Sequence, residues 1–156
     1  MSHTGIRGFY LLTEAIKNQL LNDVNVNTVT TGDIYDIDLA KQSIFPLSHI
    51  IINSVSTQEQ TLTFNISVLA MDVVDESKEA TEDIFRGNNN EQDILNTQLA
   101  VLNKLVMVLR RGVLYTDQYQ LDGDATLEPF YERFENRLAG WSATFDVFVR
   151  NDIDIC

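Results

Sequence analysis

Few side chains in this sequence could act as nucleophiles, general bases or metal ligands. The chain has two histidines, His3 and His49, and its only cysteine is Cys156. Histidine supplies most general bases near neutral pH, and a cysteine thiolate is a strong nucleophile. A Cys156–His49 pair would combine the two, but a thiol at the end of the chain lacks the rigid support that a nucleophile needs. We therefore expect His49, which lies in an apolar run, to be a hydrogen-bonded histidine of the core or of a sheet edge.

Two groups of carboxylates offer the oxygen ligands that calcium prefers. The first group is Asp33, Asp36 and Asp38, and the second is Asp122, Asp124 and Glu128. Neither group has the ligand spacing and central glycine of a calcium loop, and Asp122 with Gly123 is a common turn pair. The seven glycines form no phosphate-binding loop. The sequence therefore predicts no catalytic residue, no metal and no cofactor, and it assigns the work of the protein to its surface.

Length and composition favour one soluble domain over residues 1–156. With 156 residues and 44% hydrophobic residues, the chain can form a single core. No apolar run approaches the roughly 18 residues that cross a bilayer, and the first residues lack the pattern of a signal peptide. A single cysteine excludes a disulfide within the chain and fits a reducing compartment. We expect synthesis in a cytoplasm and no association with membranes.

The charge balance is strongly acidic. The sequence has 11 basic and 23 acidic residues, a net charge of -12, which argues against a surface that wraps nucleic acid. Half of this net charge lies between residues 72 and 93, where eight acids accompany two bases. The acids are Asp72, Asp75, Glu76, Glu79, Glu82, Asp83, Glu91 and Asp93. A solvated acidic loop over about 72–89 is the simpler interpretation, and a face that repels DNA or meets a basic partner is the alternative.

Two segments have the three- and four-residue spacing that predicts amphipathic helices. The first helix runs from about 6 to 21, with its stripe at Phe9, Leu12, Thr13, Ile16 and Leu20. The second runs from about 90 to 111, with Ile94, Leu95, Leu99, Leu102, Leu105, Val106 and Leu109, widened by Val101 and Val108. Asn90 with Asp93 predicts a capping box at its start, and Gly112 ends it.

Alternating residues predict a β-hairpin in the first half of the chain. An apolar run from 47 to 55 is followed by the turn-like segment STQEQ and a strand from 61 to 69. In this strand Leu62, Phe64, Ile66 and Val68 alternate with Thr61, Thr63, Asn65 and Ser67. One face should be buried, and the other is polar and uncharged. Solvent exposure is the favoured interpretation of the polar face, and contact with another protein or a wet channel is the alternative.

The segment between the first helix and the hairpin begins with a short β-branched strand. It continues from about 33 to 46 with carboxylates, few apolar residues and Pro46, a composition that cannot pack alone. We expect an extended arm there that is available to dock on a neighbouring subunit.

The last third of the chain predicts further strands. Asp122 and Gly123 indicate a turn between two strand-like segments. Residues 129–138 fit either a helix or a long strand bent at Gly140, of which we favour the strand. The final strand is clearer, because Trp141, Ala143, Phe145, Val147 and Val149 alternate with Ser142, Thr144, Asp146 and Arg150. The elements together predict an α+β fold, an antiparallel sheet packed against two main helices.

Three segments carry a resemblance to a known family. They are GFYLLTEAIKNQLL, HIIINSVSTQEQTLTFNISVLAMDVVD and RFENRLAGWSATFDVFVRNDIDIC. Together they resemble the tail-terminator and tail-completion proteins of tailed bacteriophages and the related head-to-tail joining proteins. The order of helices and strands is similar over most of the chain. The most specific local match is Gly140, Trp141 and the alternating final strand.

The resemblance implies a virion protein that assembles as a ring, usually a hexamer, between the neck and the tail tube. Its partners would be the tail-tube protein and proteins of the neck and portal, and DNA would pass through the acidic lumen without specific binding. The arm and the acidic loop would contact neighbouring subunits. The candidate interface residues are Asp33, Tyr35, Asp36, Ile37, Asp38, Leu39, Asp72, Asp75, Glu76, Glu79, Glu82 and Asp83. The alternatives are an adaptor or stopper of a short-tailed phage and a small soluble enzyme using carboxylates.

Overall fold

Two helices and five strands make up most of the chain that the computed structural model describes, residues 7–33, 44–75, 85, 90–112, 119–133 and 138–151. In chain order they are α1 (Arg7–Leu21), β1 (Thr28–Thr31), β2 (Leu47–Thr57), β3 (Thr61–Val73), α2 (Glu91–Arg110), β4 (Tyr119–Arg133) and β5 (Leu138–Arg150). The fold is α+β, which confirms the predicted class.

The five strands form one sheet in the order β1-β2-β3-β5-β4. The pairs β2–β3, β3–β5 and β4–β5 are antiparallel, as expected, but β1 is parallel to β2. The predicted antiparallel sheet is therefore confirmed for three of the four strand pairs, and β1–β2 is the exception. Parallel neighbours need a crossover connection, because the chain must return from the end of one strand to the start of the next. The predicted arm occupies that connection.

Both helices lie on one face of the sheet, and the core lies between them and the strands. The face of β3 that contacts them carries Leu62, Phe64, Ile66, Val68 and Ala70, and that of β5 carries Ala143, Phe145, Val147 and Val149. All of these side chains are buried, so the alternation predicted for both strands is confirmed. The opposite face has no helix against it in the described part of the chain.

Helix α1 seats on the sheet through the stripe that its sequence predicts. Leu12, Ile16 and Leu20 are fully or almost fully buried in the same core. Phe9, at the start of the stripe, stays 38% exposed, and its ring lies 6.0 Å from that of Phe64 in β3. The helix therefore covers the middle of the sheet and leaves one flank open beside Phe9.

Helix α2 buries a face that is slightly rotated from the predicted one. Gln98 is only 1% exposed, whereas Leu99 and Val108 are each 37% exposed. The side chain of Trp141 fixes this orientation, because its Nε1 donates a 2.7 Å hydrogen bond to the carbonyl oxygen of Leu95. Tertiary packing against β5 thus decides which flank of a wide apolar face is covered.

The predicted capping box at the start of α2 is absent. Asn90 precedes the helix, but its side chain makes no capping hydrogen bond. Its Oδ1 instead accepts a 2.7 Å bond from the backbone N–H of Asp75, while the N–H of Asn90 donates to the carbonyl oxygen of Asp75. This two-bond clamp joins Asp75, just after the end of β3, to Asn90, just before the start of α2.

Two predictions for the last third of the chain are wrong in detail. Asp122 and Gly123 do not form a turn: β4 continues through them, with a register shift between Asp122 and Thr126. Gly123 has a positive φ of +67, a conformation that favours glycine in β-bulges as well as in turns. Nor does a single strand bend at Gly140. The segment 129–133 is strand, as favoured, but β4 and β5 are separate antiparallel strands with Phe130 opposite Gly140.

A smaller core lies on the sheet face opposite the helices. It contains Phe45, Leu47, Met71, Phe130 and Leu138. Phe45 belongs to the segment predicted as a free arm, so the last residues of that arm pack on the sheet of their own chain. At this end the sheet therefore has buried apolar side chains on both faces, and elsewhere it has them on the helix-covered face.

We predict that Gly140→Ala strongly destabilises the fold. A Cβ at this position would collide with the carbonyl oxygen of Ala70 and would lie 2.8 Å from the Cα of Met71. Both obstacles are backbone atoms of β3, which cannot move without breaking the β3–β5 pairing. We expect the free energy of unfolding in urea to fall by about 3 kcal/mol.

Gly123→Ala is the matched control for the added methyl group. Gly123 has no atom within 4 Å of the new Cβ, so only its positive φ opposes alanine. This variant should lose about 1 kcal/mol. Equal losses for the two variants would show that the contact with Ala70 does not limit position 140.

Candidate interaction surfaces

The structure describes only part of the predicted interface. Asp33, Asp72 and Asp75 are described, whereas Tyr35, Asp36, Ile37, Asp38, Leu39, Glu76, Glu79, Glu82 and Asp83 lie outside the described residues. So do His3 and Cys156, and with Cys156 one member of the Cys156–His49 pair that the sequence argues against. Asp33 and Asp75 are exposed. Asp72 is half-buried within β3, so the loop predicted to begin at residue 72 begins after the strand.

His49 is a hydrogen-bonded histidine of the interior, as the sequence predicts. It is 0% exposed. Its Nε2 lies 2.8 Å from the carbonyl oxygen of Gly32, and its Nδ1 lies 2.8 Å from Oγ1 of Thr30. A carbonyl can only accept, so Nε2 carries the proton and Nδ1 accepts from the threonine hydroxyl. His49 therefore ties β2 to the end of β1, where the predicted arm begins.

The surroundings of His49 favour its neutral form. Burial lowers the pKa of the imidazole, and this outweighs the hydrogen bond to the Gly32 carbonyl and the charge of Asp33, which both raise it. A neutral ring with both nitrogens bonded has no free site for a proton or a metal. The arrangement is structural and does not resemble a general base waiting for substrate.

Asp72 lies where β3 leaves the sheet. Burial raises the pKa of its carboxyl group, and the nearby charge of Asp75 raises it further, while a 2.8 Å hydrogen bond from the N–H of Val73 lowers it. The acidic segment therefore starts with one half-buried carboxylate and one exposed carboxylate. The two carboxylates repel each other, so a cation or basic side chain that approached the start of the acidic segment would lower the pKa of Asp72.

The uncovered face of the sheet carries a connected row of polar side chains. Asn53 Nδ2 donates to Asn65 Oδ1 at 2.9 Å and to Ser67 Oγ at 2.8 Å. Asn65 Nδ2 donates to Asp146 Oδ1 at 2.8 Å, and the hydroxyls of Ser67 and Thr144 lie 3.1 Å apart. The row crosses β2, β3 and β5. Its members satisfy one another, so the face is polar and pre-organised without being highly charged.

An open polar cavity of about 390 Å³ lies beside this row, next to the bulge of β4. Asp124, Glu128 and Asp146 contribute carboxylates to its wall. Asp122, from the group considered above for calcium, lies opposite Asp146 in the neighbouring strand. Within the described ranges, however, no group of three or more histidine, cysteine or acidic side chains is placed to hold a metal ion.

A second cavity, of about 570 Å³, lies on the helix-covered face at the β1 edge. Phe9, Tyr10, Thr13, Glu14 and Lys17 of α1 form one wall; Val29, Thr30, Thr31, Ile50 and Ile52 form the other. Sequence reasoning missed this groove, which we call the α1–β1 groove. The one available signal was Tyr10, an aromatic residue next to the buried stripe, which is 65% exposed.

Comparison with protein-family models finds no match to the chain, and comparison with curated protein sequences finds none either. Neither helix in the described part of the chain is long and apolar enough to cross a membrane. The surfaces themselves therefore carry the functional argument.

We predict that His49 makes the stability of the protein depend on pH near neutrality. Its pKa in the folded state is below the usual 6.5, so below about pH 6.5 the unfolded state binds more protons than the folded state. The stability contributed by His49 is therefore present at higher pH and is lost as the pH falls towards the folded pKa.

Urea unfolding of the wild type and of His49→Gln across this range measures the effect. The variant should be about 1–2 kcal/mol less stable at high pH, because the buried bonds to Thr30 and Gly32 are disturbed. The difference should shrink on acidification, since glutamine does not titrate and the carboxylates are common to both proteins. A difference that is constant with pH would contradict the prediction.

We predict that Asp72→Asn stabilises the protein at neutral pH. The folded pKa of Asp72 is raised, so the folded state disfavours the charged form, and this penalty appears as the pH rises through the folded pKa. Asparagine removes the charge and keeps an oxygen for the N–H of Val73. The gain should disappear below about pH 4, where the wild-type carboxyl group is protonated in both states.

Asp93→Asn provides the opposite control. Asp93 is an exposed acid in the first turn of α2, where a negative charge favours the helix. Its removal should lower the free energy of unfolding at neutral pH by about 0.5 kcal/mol. If Asp72→Asn also destabilised the protein, burial would not be the dominant influence on Asp72.

Proposed function

We propose that this protein is a structural subunit of the neck of a tailed bacteriophage. In this proposal, copies of the chain form a ring, a hexamer by preference, as a tail terminator or tail-completion protein. The ring joins the tail tube to the head connector and leaves a channel through which DNA passes. The protein would thus be made in the host cytoplasm and reside in the virion, with the tail-tube protein and portal-associated proteins as partners.

The observation that supports this proposal most is the uncovered face of the sheet. A sheet face without helices must meet solvent or another protein, and the hydrogen-bonded row on this face is polar, with one acid, Asp146. Asn53, Asn65, Ser67 and Thr144 bond to one another across three strands. Such a face can contact another subunit or line a water-filled channel without exposing apolar surface.

The acidic balance supports the same role. With a net charge of -12, a lumen formed by this chain would repel phosphates, so DNA would slide through without being held. A ring that gripped DNA would instead present clustered Lys and Arg.

The adaptor or stopper of a short-tailed phage is the alternative within the same class. It would use the same fold and charge, but it would meet a portal whose symmetry differs from that of a tail tube. The number of copies per virion separates the two assignments.

A carboxylate-dependent enzyme is a second candidate, favoured by the cavity beside Asp124, Glu128 and Asp146. Carboxylates around an open polar cavity could act as a general acid and base. This candidate requires that the protein convert a substrate, and that the activity be lost in Glu128→Gln while the fold is preserved.

We predict that the full-length protein forms closed rings. Native mass spectrometry should give one dominant oligomer, expected to be a hexamer, and negative-stain microscopy should show a central channel. The measurements are made on the protein alone and after addition of the tail-tube protein from the same genome. A species that stays monomeric at high concentration under both conditions would overturn the proposal.

Charge variants show whether the acidic segment contributes to assembly. The variant replaces the acids of the predicted loop by their amides, at Asp72, Asp75, Glu76, Glu79, Glu82 and Asp83. If the segment contacts neighbouring subunits, the ring population should fall, whereas amide replacement of Glu59, an exposed acid in the turn between β2 and β3, should leave it unchanged. Equal assembly of all variants would reduce the role of the acidic segment to solubility.

A further inference from the structure

The α1–β1 groove exists because two helices are too few to cover five strands. A helix with its side chains is about 10 Å wide, and neighbouring strands are about 4.8 Å apart. Two helices therefore cover about four strands. The edge left without full cover is formed by β1 and the adjoining part of β2, where Val29 and Ile52 respectively are only half-buried.

Two of the four exposed aromatic side chains in the described part of the chain lie side by side at this groove. Phe9 is 38% exposed and Tyr10 is 65% exposed, and their rings lie 5.6 Å apart in an edge-to-face arrangement. Apolar surface of this kind, flanked by polar residues, is typical of a surface that binds another macromolecule.

The two edges of the sheet are protected differently against pairing. Within the described strands, β1 and β4 each have one neighbour. The β4 edge carries the exposed acids Asp122, Asp124 and Glu128, a bulge and Pro129, all features that discourage another strand from joining. The β1 edge has the sequence TVTT, with no charge and no proline. It can accept a strand, but its four residues provide few hydrogen bonds, so the adjoining groove must contribute to any contact.

The charges beside the groove are self-complementary. Glu14 and Lys17 both line it from α1, three residues apart on one side of the helix. Both are exposed, and neither has an ion-pair partner among the residues that the structure describes. If two α1 helices face each other in opposite directions, Glu14 of each lies near Lys17 of the other. A second copy of this chain supplies the matching charges without any other partner.

We propose that the α1–β1 groove binds a second copy of this chain around a two-fold axis, with β1 paired antiparallel to its symmetry mate. An axis perpendicular to the sheet keeps both pairs of helices on one face and reverses the strand direction. The two half-covered edges then form a gap about one helix wide, roughly 10 Å, between the α1 helices. Tyr10, Glu14 and Lys17 from both copies are long enough to fill it.

The size of this contact makes the dimer weak. Helix α1 has 15 residues and is about 22 Å long, so the strip formed by one helix and the β1 edge buries on the order of 1,000 Å² in both copies together. Interfaces of this size are at the lower limit of stable association. The dimer therefore dissociates on dilution.

The two-fold contact is independent of the proposed ring. A cyclic ring joins two different surfaces of successive subunits, whereas a two-fold contact uses one surface twice. A ring can be absent while the dimer forms, and a ring can form while this groove stays unpaired. A chain that is always monomeric would overturn both proposals, whereas charge reversal at Glu14 and Lys17 tests the two-fold contact alone.

Charge reversal tests the two-fold arrangement. Sedimentation equilibrium of the full chain over a hundred-fold range of concentration measures association for the wild type, Glu14→Lys, Lys17→Glu and the double reversal. Each single reversal turns two attractive contacts into repulsive ones and should weaken association about ten-fold. The double reversal restores opposite charges and should return association to within a few-fold of the wild type.

Two further variants complete the test. Glu128→Lys changes the net charge as Glu14→Lys does, but on the opposite edge, and should not weaken association. Tyr10→Ala should weaken it, and because Tyr10 is mostly exposed the fold should survive, as circular dichroism will show. A chain that is monomeric throughout the range overturns the proposal. So does a Glu14→Lys variant that associates like the wild type, or a double reversal that stays as weak as the single ones.

Discussion

The pairing of β3 with β5 is the contact on which the rest of the molecule depends. The two strands match along their full length, from Thr61 opposite Arg150 to Val73 opposite Leu138. This register places the alternating apolar residues of both strands on one face, and both helices pack there. Because the strands are more than 60 residues apart in the chain, their pairing encloses α2 and its preceding segment between two fixed ends. The Asp75–Asn90 clamp then fixes where that segment leaves and rejoins the fold.

Much of this arrangement could be predicted from the sequence, because its signals are local. The alternation in β3 and β5 and the helical spacing in α1 each reflect a repeat within one element, and all are confirmed. The errors involve competition between local and distant partners. Asn90 has the side chain of a helix cap but bonds to Asp75, and Gly123 has the residue type of a turn but forms a bulge. Gly140 is required by the backbone of Ala70, a contact that no sequence spacing reveals.

The surfaces were less predictable for the same reason. The uncharged alternation in β3 indicated the polar face, but the row became a network only when Asn53 of β2 and Asp146 of β5 joined it. The predicted interface was chosen from charge and composition. These properties identify residues that stay outside the core, but they do not show which residues contact one another. The α1–β1 groove is a property of the assembled layers: no residue in it is unusual by itself.

When helices pack on only one face of a sheet, three kinds of surface stay open: the opposite face, the two edges and any strand that the helices do not reach. This protein treats each differently. Hydrogen bonds among amide and hydroxyl side chains and Asp146 satisfy the polar row of the uncovered face, and carboxylates, a bulge and proline protect the β4 edge. Among the described residues the β1 edge has neither protection, and the shortage of helical cover leaves apolar side chains there as well. Since the same sheet shows how an edge can be blocked, the contrast between β1 and β4 is the structural basis of the proposed two-fold contact.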